Sequence, residues 1–210
     1  MITQYTEVYS TEEFQYLLIH KNGCTSVMDS ITTRYPEFCY SPQSIKPSQS
    51  VVWAVYRDPI DRFVASVAYD LKENDIEITE TNVLEFVGSV KTYIYGKTNV
   101  SPSISHVDLY KGVHKMRHSL SQTMYLFDNN VDILVRMEDL GKFLFMHFGT
   151  PLHQVRNQGD TKDKGRVLEI LRANRPLLEL VKAYLAADYY TFESFIGADR
   201  VWTWGNGRIF

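Results

Sequence analysis

The sequence of 210 residues has little cysteine, no long apolar run and no excess of one charge. Its two cysteines, Cys24 and Cys39, are too few for a disulfide framework, and their spacing fits no metal-ligand pattern. No metal is therefore expected, and an intracellular, cytoplasmic protein is. Runs such as Val51–Tyr56 and Phe143–Met146 are far too short to cross a bilayer. Met1 to Gln15 has neither the basic n-region nor the apolar h-region of a signal peptide, so no membrane association is expected. With 22 basic against 25 acidic side chains, no global positive field exists to grip nucleic acid, and any anion site has to be local. There is no internal repeat and no long Pro/Gly/Ser linker. A composition 44% hydrophobic and 13% aromatic excludes a disordered or collagen-like chain. The length suits one domain, residues 1–210, with an ample core.

What is present alternates between two periodicities. Tyr16-Leu17-Leu18-Ile19 reads as a buried strand that stops at the polar turn His20-Lys21-Asn22-Gly23. Val27, Ile31 and Tyr35 predict a helix from Thr25 to Tyr35, closed by Pro36. Val51 to Tyr56 is continuous and rich in β-branched residues, as a strand covered on both faces should be. Asp58-Pro59 then opens a helix with an apolar stripe through Ile60, Phe63, Val64, Val67, Ala68 and Leu71. A further helix is predicted from Thr81 to Ile94, followed by a long loop from Gly96 to Lys115 of the kind that often binds ligands. Asp132 to Arg136 is a third strand. Glu138-Asp139 is expected to cap a helix ending at Gly149-Thr150-Pro151, and Asp163 to Asp188 reads as two helices split by Pro176. Strand alternating with helix predicts an α/β fold with a largely parallel central sheet flanked by helices. Ligands in such sheets sit beyond the carboxyl ends of the strands, where the turns after Ile19 and Tyr56 fall.

Both turns suit an anion. In the first, the amides of a strand-to-helix turn point outward, Gly23 permits close approach, and the helix dipole favours negative charge. Lys21 adds a full charge, and Thr25 and Ser26 add hydroxyls. An ordinary joint with Thr25 as N-cap is the competing reading. The lysine precedes the glycine, so the segment is not a Walker loop. In the second turn, Arg57 at the strand end can fork onto a phosphate, and Arg62 and Ser66, four apart, face one side. A salt-bridged Arg-Asp-Pro cap is the competing reading there. Two such turns at one sheet edge suit a ligand with two separated phosphate-like groups.

Tyr16 to Ser26 resembles the 5′-phosphosulfate loop of sulfotransferases, and Val52 to Ser66 resembles their 3′-phosphate motif. The likeness to the Golgi carbohydrate sulfotransferase branch continues through His118-Ser119-Leu120-Ser121-Gln122, Arg136-Met137-Glu138-Asp139-Leu140, Val155-Arg156-Asn157 and Tyr184 to Phe195. Three departures stand out: Ala65 where that family has serine, with Ser66 one step later; Ser121 where it has proline; and no membrane anchor expected, where the Golgi enzymes carry one. The chain looks like a compact soluble bacterial or viral relative.

The resemblance implies a P-loop-like three-layer sandwich and sulfuryl transfer from 3′-phosphoadenosine 5′-phosphosulfate (PAPS) to an acceptor hydroxyl, on a carbohydrate by analogy with that branch. It implies a nucleotide cradle of Lys21, Asn22, Gly23, Cys24, Thr25 and Ser26, with Arg57 and Ser66 on the 3′-phosphate. Lys21 stabilises charge on the leaving phosphate. His118, a histidine in the family-like stretch, is the first candidate for the base that takes the acceptor's proton, and His114 is the second. His20 is expected to shape its turn, Glu138 to cap a helix, and Trp202-Thr203-Trp204 to anchor the tail. The alternatives are a nucleotide-binding protein of the same fold without catalysis, and a P-loop-like phosphotransferase. The missing Walker lysine and the lack of a clear Mg²⁺-binding aspartate argue against the second.

Overall fold

The computed structural model describes residues 7–11, 14–41, 50–96, 117–126, 131–152 and 161–203. In chain order these form strands β1 (Glu7–Ser10) and β2 (Phe14–Leu18), helix α1 (Cys24–Thr32), and strands β3 (Cys39–Ser41) and β4 (Val51–Tyr56). Helices α2 (Pro59–Glu73), α3 (Glu80–Gly96) and the short α4 (Gln122–Leu126) lead to strand β5 (Ile133–Arg136). Helices α5 (Leu140–Phe148), α6 (Thr161–Ala173) and α7 (Arg175–Gly197) precede the last strand, β6 (Val201–Trp202). Single 3₁₀ turns occupy Arg117–Ser119 and Met137–Asp139.

The strands make one sheet in the order β3-β1-β2-β4-β5-β6. β2, β4, β5 and β6 pair in parallel, while β1 pairs antiparallel with both β2 and β3. β1 therefore runs against the other five strands. The class is α/β and the sheet is mixed, mostly parallel. The antiparallel margin was not expected from the sequence, because β1 buries only Val8 and carries no apolar run.

One compact unit holds residues 1–58, 121–157 and 187–210; the other holds residues 59–120 and 158–186. The first contains the whole sheet. Alternate sheet residues Tyr16, Leu18, Trp53, Val55, Ile133, Val135 and Trp202 share a core with Val27 and Ile31 of α1 and with Leu140, Phe143, Leu144 and Phe148 of α5. Trp53 is its centre, with ring centroids 4.6 Å from Tyr16, 4.8 Å from Phe143 and 5.8 Å from Phe148. The intervening Leu17, Ala54 and Leu134 are also fully buried. Burial of both faces is why β4 reads as a continuous apolar run.

Helix ends differ from expectation for local reasons. α1 stops at Thr32, short of Tyr35: the hydroxyls of Thr32 and Thr33 donate to the carbonyls of Met28 and Asp29, and Tyr35 N–H turns back to the Ile31 carbonyl. Glu138 and Asp139 do not cap α5 as expected. They lie in a 3₁₀ turn, Asp139 makes no side-chain cap bond, and Glu138 is exposed, 4.0 Å from Arg136. α5 ends at Gly149, whose positive φ of 61° lets its N–H reach back to the carbonyls of Leu144 and Phe145. The break between α6 and α7 is at Asn174, whose Oδ1 accepts from Leu177 N–H. Pro176 therefore sits in the first turn of α7, where its missing N–H costs nothing, and α7 runs past Asp188 to Gly197.

In the second unit α2 and α3 both pack on α6, burying Phe63, Val67 and Leu71 of α2, Val83 and Val87 of α3, and Val167 and Leu171 of α6. The expected loop from Gly96 to Lys115 lies, beyond Gly96 itself, outside the described residues. No helix among the described residues is long and apolar enough to cross a membrane.

His147 of α5 lies against Phe143 and Trp202, with centroids 4.6 and 6.0 Å away, and burial holds its pKa below the ordinary histidine value. A neutral folded imidazole contributes fully above the unfolded pKa of about 6.5, and that contribution is lost as pH falls through the lowered folded pKa. Urea unfolding from pH 7.5 down to pH 5 should therefore show a smaller loss of stability in His147→Gln than in the parent. An equal loss would mean that its packing against Phe143 and Trp202 does not lower its pKa.

Candidate functional site

β2 ends at Leu18, and the chain then makes a tight turn in which Asn22 N–H bonds back to the Ile19 carbonyl at 3.2 Å. Two residues of this turn are left-handed, Lys21 with φ of 65° and Gly23 with φ of 75°. For lysine that conformation costs about 1–2 kcal/mol, so tertiary contacts hold it. The positive φ favours glycine at position 23, and a Cβ there would lie 2.8 Å from the flexible tip of Met137, which would have to move.

Gly23 is also the N-cap of α1, with no side-chain cap bond, and no acidic residue lies in the first turn. The competing reading, with Thr25 as the N-cap, is thereby overturned: Thr25 is already inside the helix and exposed. Ser26 is buried, and its Oγ meets no hydrogen-bond partner among the described residues. Cys24 is a half-buried thiol. His20, nearly buried, puts Nε2 3.7 Å from Glu7 Oε1 and its ring edge on Tyr125. That contact supports the turn, as expected of His20. Uncapped helix amides, a donor hydroxyl and an adjacent lysine together favour an anion.

Arg57 follows β4 directly. Because β2 and β4 are parallel neighbours, the two turns share one sheet edge, and Arg57 Nη1 donates to the Lys21 carbonyl at 3.1 Å. Gln122, the first residue of α4, is fully buried beside them. Its Oε1 accepts from Asn22 Nδ2 at 2.6 Å and from Arg57 N–H at 3.2 Å, while its Nε2 donates to the Arg57 carbonyl at 2.8 Å. Asn22 Nδ2 gives its other hydrogen to the Val55 carbonyl at 2.6 Å. On either side of Gln122, the Ser121 hydroxyl and the Thr123 N–H and hydroxyl all converge on Oδ1 of the buried Asp188. Beside this cluster Tyr56 stacks on Phe192, and burial, followed by the nearby Asp188, pushes its phenol well above the ordinary tyrosine range.

The second unit carries a separate polar ladder. Arg62, Ser66 and Asp70 stand one helical turn apart on the buried face of α2, and each meets the segment from 118 to 120. Arg62 Nη1 donates to the Leu120 carbonyl at 2.5 Å, and the Ser66 hydroxyl faces the carbonyls of His118 at 2.5 Å and Arg62 at 2.9 Å. Tyr184 supplies the remaining donor, to the Ser119 carbonyl at 3.0 Å. Ser66 was expected on a phosphate; instead it is fully buried with its hydroxyl directed at main-chain carbonyls, as the 100° offset from position 65 allows. Arg62 is likewise turned inward rather than toward an anion.

Asp70 completes the ladder and was missed in the sequence, although its spacing from Arg62 and Ser66 marks the same helical face. Its Oδ1 lies 2.6 Å from His118 Nδ1, and Ser119 Oγ is 3.4 Å from its Oδ2. This bond holds the proton on Nδ1 and makes Nε2 the basic nitrogen. Tyr69 meets the imidazole ring edge-on, at 4.9 Å between centroids.

The structure thus brings Lys21, Asn22, Gly23, Cys24, Thr25, Ser26 and Arg57 together in the first unit, and Ser66 with His118 in the second. His114, Val155-Arg156-Asn157 and Trp204 lie outside the described residues. Trp202 is buried against Phe143, as an anchoring side chain should be. Among the described residues, no group of three or more His, Cys, Asp or Glu side chains could hold a metal ion. Comparison with protein-family models, with curated proteins and with solved structures finds no match to this chain.

Gly23→Ala should destabilise the protein by about 1–2 kcal/mol, from the forced positive φ alone, with Met137 displaced as well. Thr25→Ala should stay within about 0.5 kcal/mol, because its hydroxyl caps nothing. Urea denaturation of the two variants beside the parent tests this; a Thr25→Ala loss near the usual N-cap value would restore Thr25 as the cap.

Proposed function

We propose that the chain is a PAPS-dependent sulfotransferase on a P-loop-like three-layer scaffold, acting on a hydroxyl-bearing acceptor of carbohydrate type. The observation that carries the reading is the shared edge of two parallel strands, where an uncapped helix start and Lys21 stand next to Arg57. A ligand with one phosphate-like group needs only one such turn; PAPS carries two, on the 5′ and 3′ positions. In this reading Lys21 and the amides of residues 22–26 stabilise charge on the 5′-phosphate, and Arg57 selects the 3′-phosphate. The acceptor oxygen bonds to sulfur as the sulfur–oxygen bond to the 5′-phosphate breaks, and His118 takes the acceptor's proton, with His114 as the second candidate. Ser66 drops out as a nucleotide contact and serves to hold the His118 segment.

A nucleotide-binding protein without turnover is the second reading, and the inward-turned Ser66 favours it, since one expected phosphate contact is missing. Turnover lost on His118→Ala supports the enzyme; the absence of turnover to lose leaves binding alone.

Calorimetric titration with 3′-phosphoadenosine 5′-phosphate (PAP), AMP and ATP tests the nucleotide. PAP should bind at least about tenfold tighter than AMP, and Arg57→Ala should remove that preference. Equal binding of PAP and AMP would reduce the second turn to a helix start.

Asp70→Asn should lower kcat about tenfold to a hundredfold with PAP affinity unchanged, because an asparagine donor at Nδ1 would leave the proton on Nε2. Unchanged turnover would remove His118 from the role of base.

A further inference from the structure

We propose that Gln122 is a positioning and specificity-determining residue, whose one side-chain amide sets the separation of the two anion-binding turns. The linkage itself stands on the geometry; the ligand it serves rests on the nucleotide reading above.

Three hydrogen bonds meet on one planar group. Oε1 holds the turn after β2 through Asn22 Nδ2 and the turn after β4 through the Arg57 N–H, and Nε2 holds the Arg57 carbonyl. Both main-chain groups of Arg57 are therefore bound by a side chain, at the point where the β4–β5 ladder stops with Tyr56 opposite Arg136. Gln122 takes the place of a strand partner for the residue that would carry the 3′-phosphate contact. Glutamine is needed because the position requires an acceptor and a donor on one group. Glutamate would set a carboxylate oxygen against the Arg57 carbonyl, and leucine would leave buried polar groups unpaired. Gln122 is itself held, since the residues before and after it both donate to the buried Asp188. The order of support is Asp188, then Gln122, then the pair of turns.

A ligand gripped by both turns at once depends on their spacing, whereas a ligand gripped by one does not. Gln122 should therefore govern discrimination between PAP and AMP. The test is calorimetric titration of the parent, Gln122→Leu, Gln122→Glu, Arg57→Ala and the Gln122→Glu/Arg57→Ala double variant with PAP and AMP. Amide hydrogen exchange at Arg57 is followed in the same proteins. Gln122→Glu keeps the volume and one acceptor, so it serves if Gln122→Leu does not fold.

The expected result is a loss of PAP affinity of about tenfold or more in Gln122→Glu, with AMP affinity changed less than about threefold. In the Arg57→Ala background the same substitution should change PAP affinity less than about threefold, because the two act through one contact. Equal losses for PAP and AMP, or losses that multiply in the double variant, would overturn the proposal. If the parent itself does not prefer PAP, the nucleotide reading has failed, and exchange at Arg57 decides the linkage alone. Acceleration of about tenfold in the Gln122 variants sustains it, and unchanged exchange overturns it.

Discussion

The parallel pairing of β2 with β4, Tyr16 opposite Trp53 and Leu17 opposite Ala54, is the constraint on which the candidate site depends. Parallel strands end at the same edge, so this register delivers the turn of residues 19–23 and the turn at Arg57 side by side. The register is held by burial on both faces: Trp53 packs between Tyr16 and Phe143 on one side, and Leu17 and Ala54 are buried on the other. A slip of one residue would exchange those faces and separate Arg57 from the Lys21 carbonyl.

The two units use buried polar groups differently. In the sheet-bearing unit a single glutamine bridges two turns and is held in turn by Asp188, so the polar network joins loops that would otherwise be independent. In the other unit the rungs Arg62, Ser66 and Asp70 bind consecutive stations of one segment and fix the ring of His118. Each arrangement gives partners to buried groups, the Gln122 amide and Asp188 Oδ1 in one and the Ser66 hydroxyl and Asp70 Oδ1 in the other, whose burial alone would be costly. Each also places a residue with chemistry, Arg57 in one case and His118 in the other, on a braced main chain.

Much of the fold could be read along the chain. β4 and α2 follow from a continuous apolar run and from Asp58-Pro59 with its stripe, and α5 ends at the glycine expected. β1 and β3 left no comparable mark: β3 is only three residues long, and β1 buries only Val8 and pairs with both its neighbours through its backbone. At the site, Lys21, Gly23 and Arg57 were legible because residue type and local turn suffice to mark them. Asp70 and Asp188 were not singled out as site residues. Each is an acid within an apolar helix face, and its role comes from donors 48 and 67 positions away in the chain. Ser66 shows the converse, a residue marked by its motif whose hydroxyl the fold turns to main-chain carbonyls.

By itself the sequence determined where apolar periodicity changes, which turns carry glycine and cation, and hence an α/β class with anion-ready turns at the ends of strands. Those are local properties, set by side-chain spacing and backbone freedom. Tertiary structure alone decided that Gln122 joins the turns and that Asp70 orients His118. Each depends on hydrogen bonds or close contacts between distant segments, which exist only once packing has set the distances.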